Sequence, residues 1–561
     1  MFRSLFRRFL EEPKVLPLLL CLVWLSASGA ADASESAGQL EQRFQPEPEA
    51  KASPATIPVE SGDGADIPQG AADIVFILNR IEVEGVNAFD IQELLPLYNE
   101  FIGEKISLDK IYVVAGKIGK KYTDGGYLLS RAVVPAQSID NGVVKIQVIE
   151  GYIDQVVFEG IETKLPPIFA HYSRALTSSK PLQVNDLERY LLLANDLPGY
   201  SFKSVMSASE SQFGAAVLRL TPKTKPYSGS LSVDNRGSEA AGPWQSLVEL
   251  TAHNFLAEFG KTTVRYATVP TSPNELSYFQ LSESRVLNGE GLKAEVSLTK
   301  TNSVPDSDEL KPLEVESGSR SFAINFSYPY IRTRTQNLSV SGGVTYRQTE
   351  TSELGAEPSK DELYAARVGL LWDSTDLFGG GGATITSFNI KQGLDIGNAR
   401  VTSRASAEPN YTLLSILARR NQKLTDNLAL GLQAGGQWSD ANLPSADSAG
   451  LGGESTVRGF TPSEWSGDRS IYGSLELQYQ PSLESLQNAR FYTFYDVGRV
   501  SRNNTLPGEV AANSARSTGL GATVGFVEGL VLNVELTNPL TADRNGVDQD
   551  WQLQGRLSYQ F

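Results

Sequence analysis

Two histidines (His171 and His253) and one cysteine (Cys21) are all that 561 residues offer of the side chains that most often ligate zinc or form Cys/His nucleophile pairs. Most metal and covalent enzymology is disfavoured on that ground. An excess of basic residues is missing too. Against 49 Lys+Arg stand 65 Asp+Glu, a net charge of −16, the reverse of the footprint a nucleic-acid binder shows. Hydrophobic residues make up 40% of the chain and the mean hydropathy is −0.21, so no bundle of apolar membrane helices is hidden in it. The one long apolar run, Val15–Ala27, falls short of the about 20 residues a helix needs to span a bilayer.

That run is preceded by Arg3, Arg7, Arg8 and Lys14 and followed by Ser28, Gly29, Ala30 and Ala31. A basic flank, an apolar stretch and a small-residue exit describe a secretory signal peptide over residues 1–30. Leu20 before Cys21 does not suit lipoprotein processing. Removal of the signal leaves no cysteine, so the exported chain relies on size or closure of its fold for stability.

Three zones follow. Residues 31–72 are rich in Ala, Glu, Gln, Ser and Pro and read as an extended linker. Leu40 and Phe44, four apart, allow a short helix over Gln39–Phe44 as the lesser reading. Residues 73–225 contain a repeat: Ile81-Glu82-Val83-Glu84-Gly85-Val86 is echoed by Val156-Val157-Phe158-Glu159-Gly160-Ile161, the glycines 75 residues apart. After the first copy, Ile91, Leu94, Leu95, Leu97, Tyr98 and Phe101 predict one amphipathic helix. Ile111, Val114, Ile118 and Tyr122 predict a second. Strand runs Leu128–Ala136 and Val143–Ile149 close the unit. The second copy predicts helices near Ile168–Ala175 and Val184–Ala194 and a last strand at Ala215–Leu220. Two β-α-α-β-β modules, 73–150 and 151–225, therefore stand in tandem, and such repeats more often bind than catalyse.

Residues 226–561 alternate apolar and polar side chains. Leu338, Val340, Gly342, Val344 and Tyr346 share one face of a strand; Leu532, Val534 and Leu536 alternate with Asn533, Glu535 and Thr537. Period two over segments of about 10 residues, ending in aromatics, is the signature of a transmembrane β-barrel. Its sheet must close because unpaired edges are intolerable in lipid. The alternating runs number sixteen antiparallel strands.

The most specific segment is Gly452-Gly453-Glu454-Ser455-Thr456-Val457-Arg458-Gly459-Phe460, between the eleventh and twelfth runs. In the thirteenth, Phe494, Asp496 and Gly498 share a face opposite Tyr495 and Val497. The latter suit lipid, so Asp496 points into the lumen, where a loop arginine could meet it through a forked contact. Spacing alone leaves a second reading open, with Arg458 a solvated loop residue and Asp496 a wetted wall residue. Gly379-Gly380-Gly381-Gly382 lacks the Lys of a phosphate loop, and neither histidine has a Ser or Asp constellation around it. Both histidines read as ordinary surface or wall residues, with His253 lumenal in the second barrel strand.

The Val-Arg-Gly-Phe and Phe-Tyr-Asp segments resemble the two signature motifs of the Omp85 superfamily. Two modules ahead of a sixteen-strand barrel resemble its two-partner secretion branch, the haemolysin activator/secretion transporters. Tyr122–Tyr127, Ser130-Arg131-Ala132, Pro135-Ala136-Gln137, Gly142-Val143-Val144 and Ile149-Glu150-Gly151 are similar to the first POTRA domain of that branch, and Ser232–Gly237 to its first barrel strand. The resemblance covers nearly everything from residue 73 onward.

It implies a 16-strand outer-membrane barrel over 226–561, preceded by two periplasmic α/β POTRA domains. It also implies a translocase that is not an enzyme and needs no cofactor, metal, nucleotide or nucleic acid. Partners would be a secreted exoprotein (a β-helical haemolysin, adhesin or toxin), outer-membrane lipid and, for its own insertion, the barrel-assembly machinery. Val457, Arg458, Gly459 and Phe460 would form the pore loop, with Phe494, Asp496 and Gly498 as its wall partners. Tyr127, Arg131, Pro135 and Gln137 become candidates for client contact. The family often carries an amino-terminal plug helix, which residues 34–44 mark weakly. A barrel insertase with more POTRA domains and a passive porin are the alternatives.

Overall fold

The computed structural model describes residues 36–46, 48, 50–52, 67–161, 164–238, 240–306, 311–354, 358–404, 406–482, 487–505 and 510–561. The expected signal peptide, its Cys21 and part of the expected linker lie outside them. Among the described residues no helix is long and apolar enough to cross a membrane.

The first module begins with a small ribbon, β1 (Val75–Ile77) paired with β3 (Lys105–Ser107), which the periodicity did not show. Its main sheet runs β2 (Arg80–Glu84), β5 (Val143–Ile149), β4 (Arg131–Val133), with β2 parallel and β4 antiparallel to β5. Helix α3 (Leu108–Asp124) buries Ile111, Val114, Ala115, Ile118 and Tyr122 against that sheet. The three-and-four spacing puts them on one face, each apolar side chain contributing about 1.5–3 kcal/mol when buried.

The helix expected over 91–101 is broken. Only α2 (Ile91–Leu94) is α-helical, and 3-10 turns follow at Leu95–Leu97 and Asn99–Phe101. Pro96 brings no N–H to an α-helical ladder and clashes with the preceding turn. The strand expected over 128–136 is likewise cut to the three residues of β4, since Pro135 cannot donate to a sheet.

The second module repeats the order. Strand β6 (Tyr152–Phe158), α4 (Pro167–Ser178), α5 (Val184–Asn195), β7 (Tyr200–Ala208) and β8 (Ala215–Thr224) form a sheet in the order β6-β8-β7. Phe169, Tyr172, Leu176, Leu187 and Leu191 pack between its helices and sheet.

Sixteen strands then close into one antiparallel barrel, as expected. They are β9 (Tyr227–Asp234), β10 (Gln245–His253), β11 (Gly260–Thr268), β12 (Leu276–Val286) and β13 (Lys293–Ser303). The wall continues with β14 (Glu316–Arg332), β15 (Gln336–Ser352), β16 (Ser359–Asp376), β17 (Gly382–Leu394), β18 (Thr412–Lys423) and β19 (Leu428–Trp438). Two short strands, β20 (Ala449–Leu451) and β21 (Trp465–Gly467), pair inside the next loop. The wall resumes at β22 (Arg469–Tyr479), β23 (Gln487–Ser501), β24 (Ala512–Val527), β25 (Leu530–Pro539) and β26 (Gln552–Gln560). Strand β26 bonds back to β9 and closes the cylinder, so the sheet has no free edge to place in lipid. Outward-facing Leu475, Tyr495, Val497 and Leu520 are 47%, 42%, 44% and 57% exposed, as an apolar solvent around the wall demands.

The second module docks on the barrel's near end. Glu290, in the turn between β12 and β13, accepts from Arg189 Nη2 (2.9 Å) and the Tyr190 hydroxyl (2.9 Å), with His171 Nε2 at 2.8 Å. Arg332 donates to both Asp196 oxygens, from Nε at 2.8 Å and Nη2 at 3.0 Å. His171 is therefore part of a joint between module and barrel. His253 lies at the near end of β10, on the face it shares with Glu249 and Thr251, its ring 3.4 Å from Ser228 Oγ.

Glu150, at the end of β5, ties the first module together. Its Oε1 accepts from the Asn87 and Ala88 N–H groups and the Tyr122 hydroxyl, each at 2.7 Å, and its Oε2 from Asn87 Nδ2 at 3.1 Å. Burial disfavours its charge, yet these four donors win and hold its carboxyl below the usual range. A depressed folded value adds stability above the unfolded carboxylate value of about 4.3 and loses it as pH falls through the folded value. Glu150→Gln should therefore destabilise this module by about 1–3 kcal/mol at neutral pH and flatten its stability from about pH 4.3 downward. Amide hydrogen exchange of residues 80–149 in the full chain reads both; unchanged protection refutes the clamp.

Candidate functional site in the barrel lumen

The loop of 439–468 joins β19 to β22 and folds back into the lumen. Pairing of β20 with β21 makes its stem. Its tip is tied to itself: Gly453 N–H donates to Phe460 O (3.1 Å) and Thr456 Oγ1 to Gly452 O (3.0 Å). Gly459 turns the chain with φ +83°, a conformation that only glycine adopts without strain. Val457 and Phe460 are buried with Leu451, Trp465, Val500 and Ala515.

Strand register carries the wall side of the site. Ser474 stands opposite Asp496 and Glu476 opposite Phe494 between β22 and β23, and alternation points all four inward. Arg458 Nε donates to Asp496 Oδ2 and Nη2 to Oδ1, both at 2.8 Å, while the Arg458 backbone N–H reaches Oδ2 at 3.1 Å. Its Nη1 donates to Glu476 (3.0 Å) and Glu535 (3.3 Å), and Nη2 to Ser474 Oγ (3.0 Å). The guanidinium lies 3.5 Å from the Phe494 ring centroid, a cation–π contact that adds to the ion pairs. Arg458 is 8% and Asp496 1% exposed, so solvent does little to screen them. Gly498 is the third wall residue. A Cβ there would sit 2.4 Å from Leu451 Cδ1 and 2.9 Å from Val457 Cγ2, so the bare backbone makes room for the loop.

Three partners escaped the sequence reading. Glu454 in the loop pairs with Arg236, before the second barrel strand, and with Arg556 of β26, at 2.7 Å from Arg556 Nη2. Arg236 also donates to Glu535 at 2.7 Å, and Arg556 to Asp234 at 3.0 Å. Glu535 was already legible as inward-facing from its alternation with Val534 and Leu536; its partner was not, because that depends on register across several strands.

A second occupant shares the lumen. Helix α1 (Ala37–Arg43) forms where the linker reading predominated, with Ser36 and Gln39 making a capping box at its start. That S-x-x-Q pattern was the available signal. Tertiary contacts outweigh the linker-like composition: Leu40 is buried with Ala241, Val269 and Leu276, and Glu41 accepts from Ser321 and Ser319 of β14 and pairs with Arg347 at 3.3 Å. Arg347 also pairs with Asp447, at 3.2 Å. Asp447 lies in the loop's own 3-10 turn (Ser445–Asp447) and is held by Lys391 at 2.6 Å. Gln42 donates to Ala446 O (2.7 Å) and Gln39 to Ser466 Oγ (3.1 Å). The helix thus touches both ends of the loop that carries Arg458.

The candidate client-contact residues are elsewhere, on the first module. Tyr127 packs edge-on against Phe89 and Tyr122. Gln137 exchanges two bonds with the Lys145 backbone, at 2.7 and 2.8 Å. Arg131 and Pro135 are exposed.

Residues 293–525 match a family model described as haemolysin secretion/activation protein ShlB/FhaC/HecB, and residues 76–151 match a POTRA domain model of the ShlB type. The chain is 23% identical to heme/hemopexin transporter protein HuxB of Haemophilus influenzae (strain 86-028NP), covering 93% of this chain and 94% of that one. It is 24% identical to outer membrane transporter CdiB of Escherichia coli O6:K15:H31, over 81% and 78% of the two chains. The solved structure of CdiB from Escherichia coli superposes with a TM-score of 0.71 at 20% identity, covering 91% and 94%. BamA from Haemophilus ducreyi, lacking POTRA domains 1–3, gives 0.52 at 14% identity over 87% and 100%, a likeness of fold.

Asp496→Ala should leave Arg458 buried beside fewer acceptors and cost about 3–5 kcal/mol of loop docking. Protease cleavage within 452–460 should rise while the barrel keeps its heat-modifiable mobility on gels. Gly498→Leu should release the same loop by volume alone. A loop that stays protected in both variants refutes this anchoring.

Proposed function

This chain belongs to the haemolysin secretion/activation family, the two-partner secretion branch of the Omp85 superfamily, and on that premise we propose how it moves a secreted partner protein through its own barrel. The barrel lies in the outer membrane with the POTRA modules in the periplasm. The observation that carries the reading is a closed sixteen-strand pore whose lumen holds an arginine loop clamped to the wall, with two binding modules ahead of it.

The client is an unfolded or partly folded exoprotein of the haemolysin, adhesin or toxin kind. It meets the modules first. Strand β7 is hydrogen-bonded to β8 on one side only, and its nine residues offer the other edge to an added strand. Main-chain bonds give affinity there with little demand on client sequence. On the first module, Arg131 and Pro135 present exposed side chains beside a short edge strand, whereas Tyr127 and Gln137 shape that edge from within. The joint through Glu290 and Asp196 holds β7 at the pore mouth. Outer-membrane lipid surrounds the wall, and the barrel-assembly machinery inserts it.

Helix α1 occupies the conduit, so passage requires it to leave. Its grip on Ala446 and Ser466 couples that departure to the Arg458 loop. Arg458 and Asp496 keep the loop as a fixed lining against which the client slides, and folding of the client outside the cell makes the movement one-way. A passive porin would leave the modules unused.

Cells expressing the large exoprotein encoded beside this gene should release it only when this chain is present; release without it overturns the proposal. Arg458→Ala should lower secretion at least about tenfold with unchanged outer-membrane level. Glu41→Ala, which removes the acceptor for Ser319, Ser321 and Arg347, should raise single-channel conductance in planar bilayers; unaltered conductance would show that α1 does not close the pore.

A further inference from the structure

On the outer wall, away from the modules, the apolar bands of three adjacent strands end in arginine. On β22 the outward residues Leu477, Leu475, Gly473 and Ile471 lead to Arg469. On β23, Tyr495 and Val497 lead to Arg499. On β24, Leu520 and Thr518 lead to Arg516. Register makes them a staircase, with Arg469 opposite Ser501, Arg499 opposite Ile471 and Arg516 opposite Val497. Arg499 and Arg516 are exposed. Among the described residues none of the three pairs with a carboxylate. Arg469 is aimed: its Nε donates to Ser439 O at 2.9 Å, and its guanidinium lies 5.5 Å from the Trp438 ring centroid.

Beside this staircase the wall is hollowed by a groove of ≈ 560 Å³ lined by Phe388, Leu414, Ile416, Gly436, Trp438 and Ile471, with Arg469 and Arg499 at its rim. Its floor runs straight into the charges, because Ile416, Gly436, Ile471 and Arg499 stand side by side across β18, β19, β22 and β23. An apolar trench on a lipid-facing wall suits a hydrocarbon chain. Guanidinium groups with no carboxylate beside them at the edge of the hydrocarbon call for an anion, and their planar forks match phosphate.

We propose that this face is a specific site for a bisphosphorylated, multiply acylated glycolipid of the outer leaflet, of the lipid A class. One acyl chain fills the groove and the phosphates sit on Arg469, Arg499 and Arg516. The choice of two phosphates follows from span: Arg469 and Arg516 are two strands apart and staggered by four residues along β23, about 16 Å in all, too far for one phosphate to bridge. The site rests on the outer-membrane reading but not on secretion itself.

The test uses the full-length protein in mild detergent, stripped of lipid and offered bisphosphorylated lipid A, dephosphorylated lipid A or phosphatidylglycerol, with native mass spectrometry as the readout. Wild type should retain lipid A in preference to the other two. Combined Arg469→Gln, Arg499→Gln and Arg516→Gln should cut occupancy about tenfold or more. Ile416→Trp should do the same by filling the groove from its floor, with charge untouched, and heat-modifiable mobility reports that each variant is folded. Equal retention of the dephosphorylated lipid or of phosphatidylglycerol by wild type overturns the proposal, whatever the variants do. So does wild-type occupancy in both folded variants, or a dimer mass that Ile416→Trp abolishes, which would give this face to a second copy of the chain. Secretion by the same variants separates failure of this site from failure of the transport reading.

Discussion

Everything in the lumen is arranged around one buried guanidinium. Arg458 reaches Asp496 through both of its oxygens and takes Glu476, Glu535 and Ser474 as further acceptors. A charge that far from water is tolerated only when its donors are satisfied, and this wall supplies acceptors from three strands, β22, β23 and β25. The loop backbone must therefore come close enough to deliver the arginine. Gly498 is bare because the loop presses against it, and Val457 and Phe460 find their apolar niche on either side.

A fixed loop gives the rest of the pore something to lean on. Helix α1 is seven residues long, too short to be stable alone in water. It persists because the lumen wall and the loop stem bury its apolar face and satisfy Glu41. The second module is held in a comparable way from below, by carboxylates that meet donors across a turn. The protein is thus a rigid cylinder with two attached parts, one inside and one beneath, each kept by polar contacts around a small apolar patch, Leu40 against Ala241, Val269 and Leu276 for the helix and Phe169 against Phe259 for the module. Such contacts can be exchanged for others without disturbing the cylinder.

How much of this the sequence disclosed follows from the range of the interactions involved. Period-two alternation is local, so the barrel, its sixteen strands and the inward direction of Asp496 and Glu535 were legible residue by residue. The modules were legible from helical spacing, except where Pro96 and Pro135 interrupt elements whose apolar pattern continues past them. The contacts of Arg458 beyond Asp496 were not, because Glu476 and Glu535 are brought to it by register, and the same holds for Glu454, which the loop path carries to Arg236 and Arg556. Helix α1 was nearly invisible for the same reason: apart from its capping box, its stability resides in Leu276, Arg347 and Ala446, hundreds of residues away in the chain.

The two charge clusters of the lumen differ in balance. Around Arg458, three arginines (Arg236, Arg458, Arg556) face five carboxylates (Asp234, Glu454, Glu476, Asp496, Glu535). Around Asp447, Arg347 and Lys391 are matched by Asp447 and Glu41. Were α1 to withdraw as proposed, it would take Glu41 along, and that side of the conduit would turn basic while the other stayed acidic. A channel opened in that way would carry a transverse electric field, and an extended polypeptide passing through it would be rotated, its acidic side chains toward β15 and β17 and its basic ones toward β22 through β26.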